Sequence, residues 1–445
     1  MKQLSKLAFI ITIILAGCHT ANAAKPKDVT IGMVTYRVSA FADEASVVGA
    51  AADITEANIV NKVTYEGIEY PVVSIANNAF SGNKTLTKVT VAEEIPTIGQ
   101  NAFSNCTALK TISLPNTIIT LSDYAFAGCT SLDNVKLPSS LTTLPQYLFS
   151  GCSSLTTVNI PMSIGTLSDG VFKGCTKLTS MVIPETVSTI GNALFSGCTS
   201  LTSVKFPSSM TTIPGSTFYN CRALTSYTIP STITTIDNGA FYSSGLRSIV
   251  IPSTVKTING GAFSDCYWLE SITIEDGVTS IVGSAFYNCT SLLSIVIPNS
   301  VETIGGRTFT GCTVLESAIL PNTLTEIPES IFQSCTSLKS IKIPDNVSII
   351  RKDAFRDCTS LTEVSFPSAL TTIEGYAFNN CKALKSAILP AGMTSLGGNA
   401  FSNCESLENV TCFAVVPPQA GMSTFNYSYP EYMTLHVPAG SEEAY

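Results

Sequence analysis

Residues 103–126 read FSNCTALKTISLPNTIITLSDYAF and contain one full unit of the pattern that decides the fold. Cys106 follows Phe103 by three residues, and the next phenylalanine of the pattern, Phe126, comes 23 residues after the first. Between them, apolar and polar residues alternate up to Pro115, and two more apolar residues, three positions apart, precede the Ala-Phe pair. A fixed period of this length is typical of repeat proteins, whose units fold only when they stack.

The same unit recurs along most of the chain. Its phenylalanine is found fifteen times, and every step is 23 residues except the 22-residue step from Phe241 to Phe263. These residues are Phe80, Phe103, Phe126, Phe149, Phe172, Phe195, Phe218, Phe241, Phe263, Phe286, Phe309, Phe332, Phe355, Phe378 and Phe401. Thirteen of them are followed by a cysteine at the same distance, and Ser244 takes its place in the short unit. The 445 residues therefore predict one continuous array instead of two or three globular domains.

Each unit combines a short strand with a return segment. In the unit quoted above, Ile112 and Leu114 alternate with polar residues, which predicts a strand with one buried face. Proline ends the strand because it lacks the N–H that the ladder needs. The rest of the unit is too short for a long helix. We therefore expect a repeat solenoid of about fifteen 23-residue coils with a parallel β-sheet on one face, short helical or irregular turns on the other, and β caps at both ends.

The Ile-Pro strand end, the Ala-Phe pair and the cysteine carry a family resemblance. Over residues 72–410 the chain resembles the BspA-type (Treponema pallidum-type) leucine-rich repeat proteins, which implies a leucine-rich-repeat array. Residues 29–71, with Gly32 and Tyr36, resemble the β cap that precedes such arrays, and residues 411–445 resemble the closing cap. In that family the chain runs on past the closing match, so the resemblance implies a truncated C-terminus. It also implies a surface or secreted protein of a host-associated bacterium, with adhesion or partner binding as its activity.

The N-terminus has the features of an export signal. Two lysines precede an apolar stretch, residues 7–17, that is too short to span a bilayer. The stretch ends in Leu-Ala-Gly-Cys, which resembles the bacterial lipobox. This motif predicts a lipoprotein signal peptide at 1–17, lipidation of Cys18 and a tether at 18–28. Ordinary cleavage after Ala23 is the alternative.

We expect an exported protein that is held at a membrane only through this N-terminal lipid anchor. The lipobox favours a Gram-negative, Bacteroides-like source and an outer membrane lipoprotein or cell-surface location. The residues after Cys18 lack the acidic run expected for surface export, so a periplasmic or secreted protein is the alternative.

The cysteines allow two interpretations. Fifteen cysteines in an exported protein suggest disulfides. However, thirteen of them occupy one repeat position, where stacked Cβ vectors run parallel and the disulfide dihedral is hard to meet. The interpretation that we favour is a column of buried, reduced thiols that act as small apolar side chains.

Composition and motifs argue against an enzyme. Only 13% of the residues are charged and the net charge is −8, which argues against a nucleic-acid partner. The two histidines, His19 and His436, have no catalytic or metal-ligand motif around them. The sequence also has no Cys-x-x-Cys pair and no glycine-rich phosphate loop. We therefore expect no catalytic residue, no metal and no cofactor.

The candidate binding site is aromatic. The residue after the repeat phenylalanine is a tyrosine in three of four consecutive coils, at Tyr219, Tyr242 and Tyr287. The intervening coil instead has Tyr267 and Trp268, the only tryptophan of the chain, a few residues further on. Tyrosine and tryptophan are typical anchors for proteins or sugars. The alternative is local packing over the turn.

A second surface is the outward face of the strands, where most residues are Ser, Thr, Lys or Glu. Its hydrophobic exceptions are Val182, Val250, Val296, Ile319 and Ile388. The strand propensity of β-branched residues explains them better than a binding hot spot does.

We predict a cell-surface or secreted binding or adhesion protein whose solenoid recognises host proteins, other cells or glycans. A carbohydrate-capturing surface lipoprotein and a cell-envelope scaffold without a dedicated ligand are the alternatives.

Overall fold

The computed structural model describes residues 25–428 and 433–445, so Cys18 and the signal peptide predicted at 1–17 lie outside the described residues. The chain forms a parallel β-solenoid of about 17 turns of about 23 residues. The predicted fold class is confirmed. There are more coils than the repeat phenylalanines indicate, because further strands continue the rows of coil strands at both ends.

Six strands form the N-terminal end of the molecule: β1 (Lys27–Ile31), β2 (Val34–Ser39), β3 (Glu44–Ala50), β4 (Glu56–Ile59), β5 (Lys62–Tyr65) and β6 (Ile68–Ile75). β1, β2 and β3 pair antiparallel, and β5 pairs antiparallel with β6. β3 pairs in parallel with β6, and β4 pairs in parallel with the first strand of the coils. Since the sheets run from these strands directly into the coils, the boundaries predicted at residues 71 and 410 stay predictions.

The strand predicted in each coil forms one row, which we name the first wall. Its middle residue is buried and its flanking residues are exposed, as at Val135 between Asn134 and Lys136. Neighbouring strands pair in parallel and in register, in groups of two or three. After β4 the strands of the first wall are Lys88–Val91, Thr111–Ser113, Asn134–Lys136, Thr157–Asn159, Ser180–Val182, Ser203–Lys205, Ser248–Ile251, Ser271–Ile274, Ser294–Val296, Ser317–Ile319, Ser340–Lys342, Glu363–Ser365, Ser386–Leu389, Asn409–Cys412 and Thr434–His436.

A second row of parallel strands, each two residues long, follows the first wall in every coil. We name it the second wall, and most of its strands turn an isoleucine or leucine inward. These strands are Thr97–Ile98, Thr120–Leu121, Thr143–Leu144, Thr166–Leu167, Thr189–Ile190, Thr212–Ile213, Thr235–Ile236, Thr257–Ile258, Ser280–Ile281, Thr303–Ile304, Glu326–Ile327, Ile349–Ile350, Thr372–Ile373, Ser395–Leu396 and Gln419–Ala420.

Three prolines explain where the second wall is interrupted. Its pairing breaks between the strands at 120 and 143, at 189 and 212, and at 303 and 326. In an unbroken stretch, the residue after the strand donates its N–H to the preceding coil, as Ser122 does to Ile98. Pro145, Pro214 and Pro328 occupy that position at the three breaks and have no N–H to donate.

The return segments are turns. Among the described residues, the single helical element is a 3-10 turn at Glu442–Ala444. Each return segment has positive φ at two positions, two residues before and two residues after its phenylalanine, as at Asn101 and Asn105 around Phe103. Gly, Asn and Asp adopt this left-handed conformation most readily, and they are frequent at both positions.

The phenylalanine rings form one continuous row, which we name the phenylalanine stack. It has sixteen rings, because Phe425 extends the fifteen found by the repeat pattern, and it runs from Phe80 to Phe425. Neighbouring ring centroids lie 4.9–6.3 Å apart, and every neighbouring pair is stacked. The stacked rings lie in a single hydrophobic core that successive coils share.

The thirteen repeat cysteines form a buried column beside the stack. Each Sγ donates a hydrogen bond to the carbonyl of the phenylalanine in the preceding coil, as Cys129 does to Phe103 at 3.1 Å. The thiols are free and buried. Burial raises the pKa of Cys106 to about 12 and that of Cys266 to about 11, so both stay neutral near pH 7.

The 22-residue coil is shorter at one defined place. Ser244 is buried in the position of the cysteine, and a single residue, Gly245, separates it from the following core leucine, Leu246. A Cβ atom at Gly245 would lie 1.9 Å from the carbonyl oxygen of Arg222 in the preceding coil. Glycine is therefore required here, because the shortened turn passes so close to its neighbour that no side chain fits.

The first wall is interrupted beside the short coil. The inward position there is Tyr227, whose ring packs between Phe218 and Phe241 at centroid distances of 5.2 and 5.6 Å. In place of a strand, this coil keeps one bridge, from Ser226 to Ser248. The larger tyrosine side chain is thus accommodated at the expense of strand pairing.

Candidate functional site: an aromatic patch beside the short coil

The structure brings all five predicted aromatic residues to one part of the solenoid. We name them the aromatic patch: Tyr219, Tyr242, Tyr267, Trp268 and Tyr287. The first, second and last each follow a buried ring of the phenylalanine stack, so their own side chains turn outward at the corner of the coil. The rings of Tyr219 and Tyr242 stack on each other, with centroids 5.0 Å apart and an interplanar angle of 7°.

Tyr267 and Trp268 occupy the coil in which the tyrosine row is interrupted. The residue after the phenylalanine there is Ser264, which is buried and donates a hydrogen bond to the Ser284 carbonyl at 2.6 Å. Tyr267 and Trp268 follow the cysteine of the same coil, with their rings edge to face at 6.3 Å. They are 42% and 40% exposed, so both side chains are accessible from solvent.

Asp265 joins the tyrosines of the patch, and the sequence patterns did not identify it. It is 9% exposed and accepts a hydrogen bond from the Tyr242 hydroxyl. The Asn288 amide donates a second hydrogen bond to the carboxylate at 3.0 Å. Asp265 lies two residues after Phe263, at one of the positive-φ positions. The sequence signal that could have identified Asp265 is an aspartate at a position that many coils fill with glycine.

Asp265 raises the pKa of two tyrosines of the patch, Tyr242 and Tyr267. It raises the pKa of Tyr242 to about 12, because ionising the hydroxyl would remove the donor and place a second negative charge beside the carboxylate. Burial, together with the nearby charge of Asp265, also raises the pKa of Tyr267. Tyr287 lies near enough to contribute to the same shift. Both phenols are therefore neutral donors across the physiological range.

The hydrophobic residues on the first wall are exposed, in agreement with their outward register. Val182, Val250, Val296, Ile319 and Ile388 are each more than half exposed. They do not form one surface, since only Val296 and Ile319 are direct neighbours in register.

The depressions in the walls coincide with interruptions of the sheet. One of about 440 Å³, lined by Tyr227, Ser248 and Val250, lies where the first wall lacks a strand. Another of about 350 Å³ includes Pro214, at one of the proline breaks of the second wall.

The described part of the chain contains no group of three or more His, Cys, Asp or Glu side chains that could hold a metal ion. Over the same residues, no helix is long and apolar enough to cross a membrane. His436 lies in the last strand of the first wall, with Nε2 3.4 Å from Oδ1 of Asn409, and His19 lies outside the described residues.

Comparison with solved structures identifies bacterial relatives. A leucine-rich repeat protein from Bacteroides ovatus is 27% identical, with a TM-score of 0.68, and the match covers 93% of this chain and 100% of that one. A leucine-rich cell surface protein from Faecalibacterium prausnitzii is 28% identical over 81% of this chain and 94% of its own, with a TM-score of 0.48. The pneumococcal vaccine antigen PcpA shares the fold at 20% identity and a TM-score of 0.57, over 78% of this chain and 98% of its own. No curated protein matches the chain by sequence.

A family model extends this similarity to the sequence itself. The model of the BspA-type leucine-rich repeat region, which spans six copies of the repeat, matches residues 60–179, 165–293 and 279–408. Solenoids of this kind are typically non-enzymatic scaffolds for protein binding. The matched ranges together span residues 60–408, more than half of the 445 residues, and the chain belongs to the BspA-type leucine-rich repeat family.

Proposed function

We propose that this chain is a cell-surface or secreted binding protein that engages its ligand through the aromatic patch. The observation that carries the proposal is the exposure of Tyr219, Tyr267 and Trp268, each at least 40% exposed on neighbouring return segments. Aromatic side chains of this kind contribute most of the binding energy in many interfaces. The stacked core holds the rings in place, so little conformational entropy is lost when a ligand binds.

The location belongs to the same proposal. The lipobox at Cys18 supports a lipid anchor on the outer membrane, with the solenoid displayed on the cell surface. Protease treatment of intact cells is expected to remove the solenoid while leaving periplasmic proteins whole, and Cys18→Ala is expected to abolish incorporation of labelled fatty acid. If the solenoid survives on intact cells and is degraded only after the cells are lysed, it lies in the periplasm.

A double substitution of the patch tests the binding site. Tyr242→Ala with Trp268→Ala is expected to weaken ligand binding at least about tenfold, because truncating two interface aromatics removes more than about 1.4 kcal/mol. Binding is measured against immobilised extracellular-matrix proteins and a glycan panel, which also separates an adhesin from a carbohydrate-capturing lipoprotein. A cell-envelope scaffold without a dedicated ligand would bind neither set.

The matched control is a tyrosine pair elsewhere on the solenoid. Tyr124 and Tyr147 stack at 4.9 Å, much as the patch tyrosines do, but they lie several coils away. Tyr124→Ala with Tyr147→Ala is expected to leave binding unchanged, and urea unfolding of both double variants should stay within about 1–2 kcal/mol of the parent. Equal binding by the parent and the patch variant would exclude the patch as the binding site.

A further inference from the structure

Asp265 places a negative charge in the aromatic patch without a basic partner. Its hydrogen-bond donors are the neutral groups of Tyr242 and Asn288. Within residues 25–428 and 433–445, no lysine, arginine or histidine forms an ion pair with it. Neutral donors satisfy the lone pairs of a carboxylate but leave its net charge uncompensated, so the patch carries a negative potential.

The same position in another coil shows how the fold can accommodate such a carboxylate. Asp357, like Asp265, lies two residues after its phenylalanine, and their φ values are 63° and 55°. Each also accepts a hydrogen bond from the asparagine 23 residues later, at 2.8 Å for Asp357 and 3.0 Å for Asp265. The two sites therefore share backbone conformation and the neutral donor from the next coil.

The two sites differ in the residue that precedes the carboxylate. At Asp357 the preceding residue, Arg356, places its Nε 3.6 Å from the carboxylate, and its guanidinium carbon lies 5.6 Å from the centre of the Tyr376 ring. At Asp265 the preceding residue is Ser264, whose side chain is buried and uncharged. The first site thus has a guanidinium within reach of both a carboxylate and a tyrosine ring, whereas no described basic side chain pairs with Asp265 at the second.

The patch rings suit a cation for an electronic reason. The face of an aromatic ring attracts positive charge, and tryptophan and tyrosine do so most strongly. A phenol that donates its proton toward an anion, as Tyr242 does to Asp265, gains electron density in the ring. The net charge of −8 for the whole chain acts in the same direction and favours a basic partner.

The short coil leaves the rings accessible. Two residues, Tyr267 and Trp268, follow the cysteine in their coil, whereas the preceding coil has only Gly245 at that place. On the other side the following coil carries Thr290 and Ser291, which are small. No large side chain of the neighbouring coils occupies these two positions, and a partner side chain can reach the rings from solvent.

We propose that the aromatic patch binds an arginine side chain of a basic segment in a partner protein, with Asp265 as the counter-ion and the tyrosine and tryptophan faces as the platform. This inference rests on the proposed function and narrows it to a cationic protein ligand.

The single tryptophan gives a direct probe, because emission excited at wavelengths that tyrosine does not absorb reports only on Trp268. The probe ligands are a blocked octapeptide with three arginines among glycine and serine, and the same peptide with citrulline, the neutral isostere, in place of arginine. We expect the arginine peptide to change the emission and to bind about three- to tenfold more tightly than the citrulline peptide. Added salt is expected to reduce that difference.

Asp265→Asn is the decisive variant. Asparagine is native at the equivalent positions 220 and 288, so the substitution removes the charge and keeps the left-handed conformation. It is expected to lower the affinity for the arginine peptide about three- to tenfold. Asp357→Asn is the matched control in the same register and should change the affinity less than about twofold. If Asp265→Asn fails to fold, Asp265→Gly serves instead, since glycine occupies this position in several coils, including Gly128.

The outcomes separate this inference from the proposed function. Equal affinity for the arginine and citrulline peptides, or a full effect of a neutral chitohexaose on Trp268, overturns the cationic ligand but leaves the patch as a binding site. If none of the probes changes the emission of Trp268, the cationic inference is also wrong. Failure of the alanine double variant to alter binding overturns the proposed function itself.

Discussion

Replacing Phe263 with alanine is expected to lower the free energy of unfolding by about 3–5 kcal/mol. The ring is fully buried and lies in the middle of the phenylalanine stack, 5.2 Å from Phe241 and 5.4 Å from Phe286. Its removal leaves a cavity that neighbouring coils cannot close, because their own rings are fixed by the next coils in the row. The effect is measured by urea unfolding followed by circular dichroism.

The shape of the unfolding curve carries a second consequence of the Phe263 substitution. In a solenoid each coil contacts only its neighbours, so weakening one interface uncouples the segments on its two sides. We expect a single transition in the parent and two in Phe263→Ala. Phe413→Ala is the control, because Phe413 is 54% exposed and should cost less than about 1 kcal/mol. An unchanged midpoint for Phe263→Ala would falsify the stack as the element that couples the coils.

The thirteen repeat cysteines are expected to react at least about a thousandfold more slowly in the native protein than in urea. A thiol reagent attacks the thiolate, and burial both excludes the reagent and raises the pKa, to about 12 at Cys152. Reaction then requires local opening of the coil, which is rare in the middle of the array. Alkylation followed by peptide mapping measures each cysteine separately. Rapid alkylation of Cys289 in the native state would contradict the buried column.

The same thiols make the solenoid sensitive to alkali. Burial raises the pKa of thiols such as Cys106, Cys152 and Cys404 above the ordinary value of 9.0, so folding favours their neutral form. The stabilisation is complete below about pH 9 and is lost as the pH rises towards 12, where unfolding lets the thiols ionise.

The exposed variant Lys136→Cys, on the outward face of the first wall, is the reactive control for the alkylation.

The repeat pattern predicts the elements whose register is fixed by buried side chains. The first wall follows from the alternation that ends in proline, and the phenylalanine stack follows from the 23-residue step. The second wall escapes prediction, because a pair such as Thr97–Ile98 is too short to show alternation. Its pairing depends on the neighbouring coil, which holds two residues in an extended conformation that they would not adopt alone.

The sequence predicts which aromatic residues form the patch, but it does not predict all of the hydrogen bonds to Asp265. The column that contains Asn220, Asp265 and Asn288 can be read from the repeat, and it places the donor of Asn288 beside Asp265. Tyr242 and Asp265 occupy different positions of the repeat, so their hydrogen bond depends on the direction of the Tyr242 side chain. The spacing of residues in the sequence does not predict that direction. The omission of one residue at Gly245 is visible in the sequence, whereas its close approach to Arg222 requires the structure.

The stacking of coils also determines how the molecule responds to mechanical force. A load applied between its two ends acts across the lateral hydrogen bonds and the ring contacts, which separate one coil at a time, instead of along the covalent backbone. A coil occupies about 4.8 Å of the axis when folded, yet its 23 residues reach about 75–80 Å when extended. Each coil that peels from an end therefore dissipates energy and lengthens the chain, while the remaining coils stay stacked on one another.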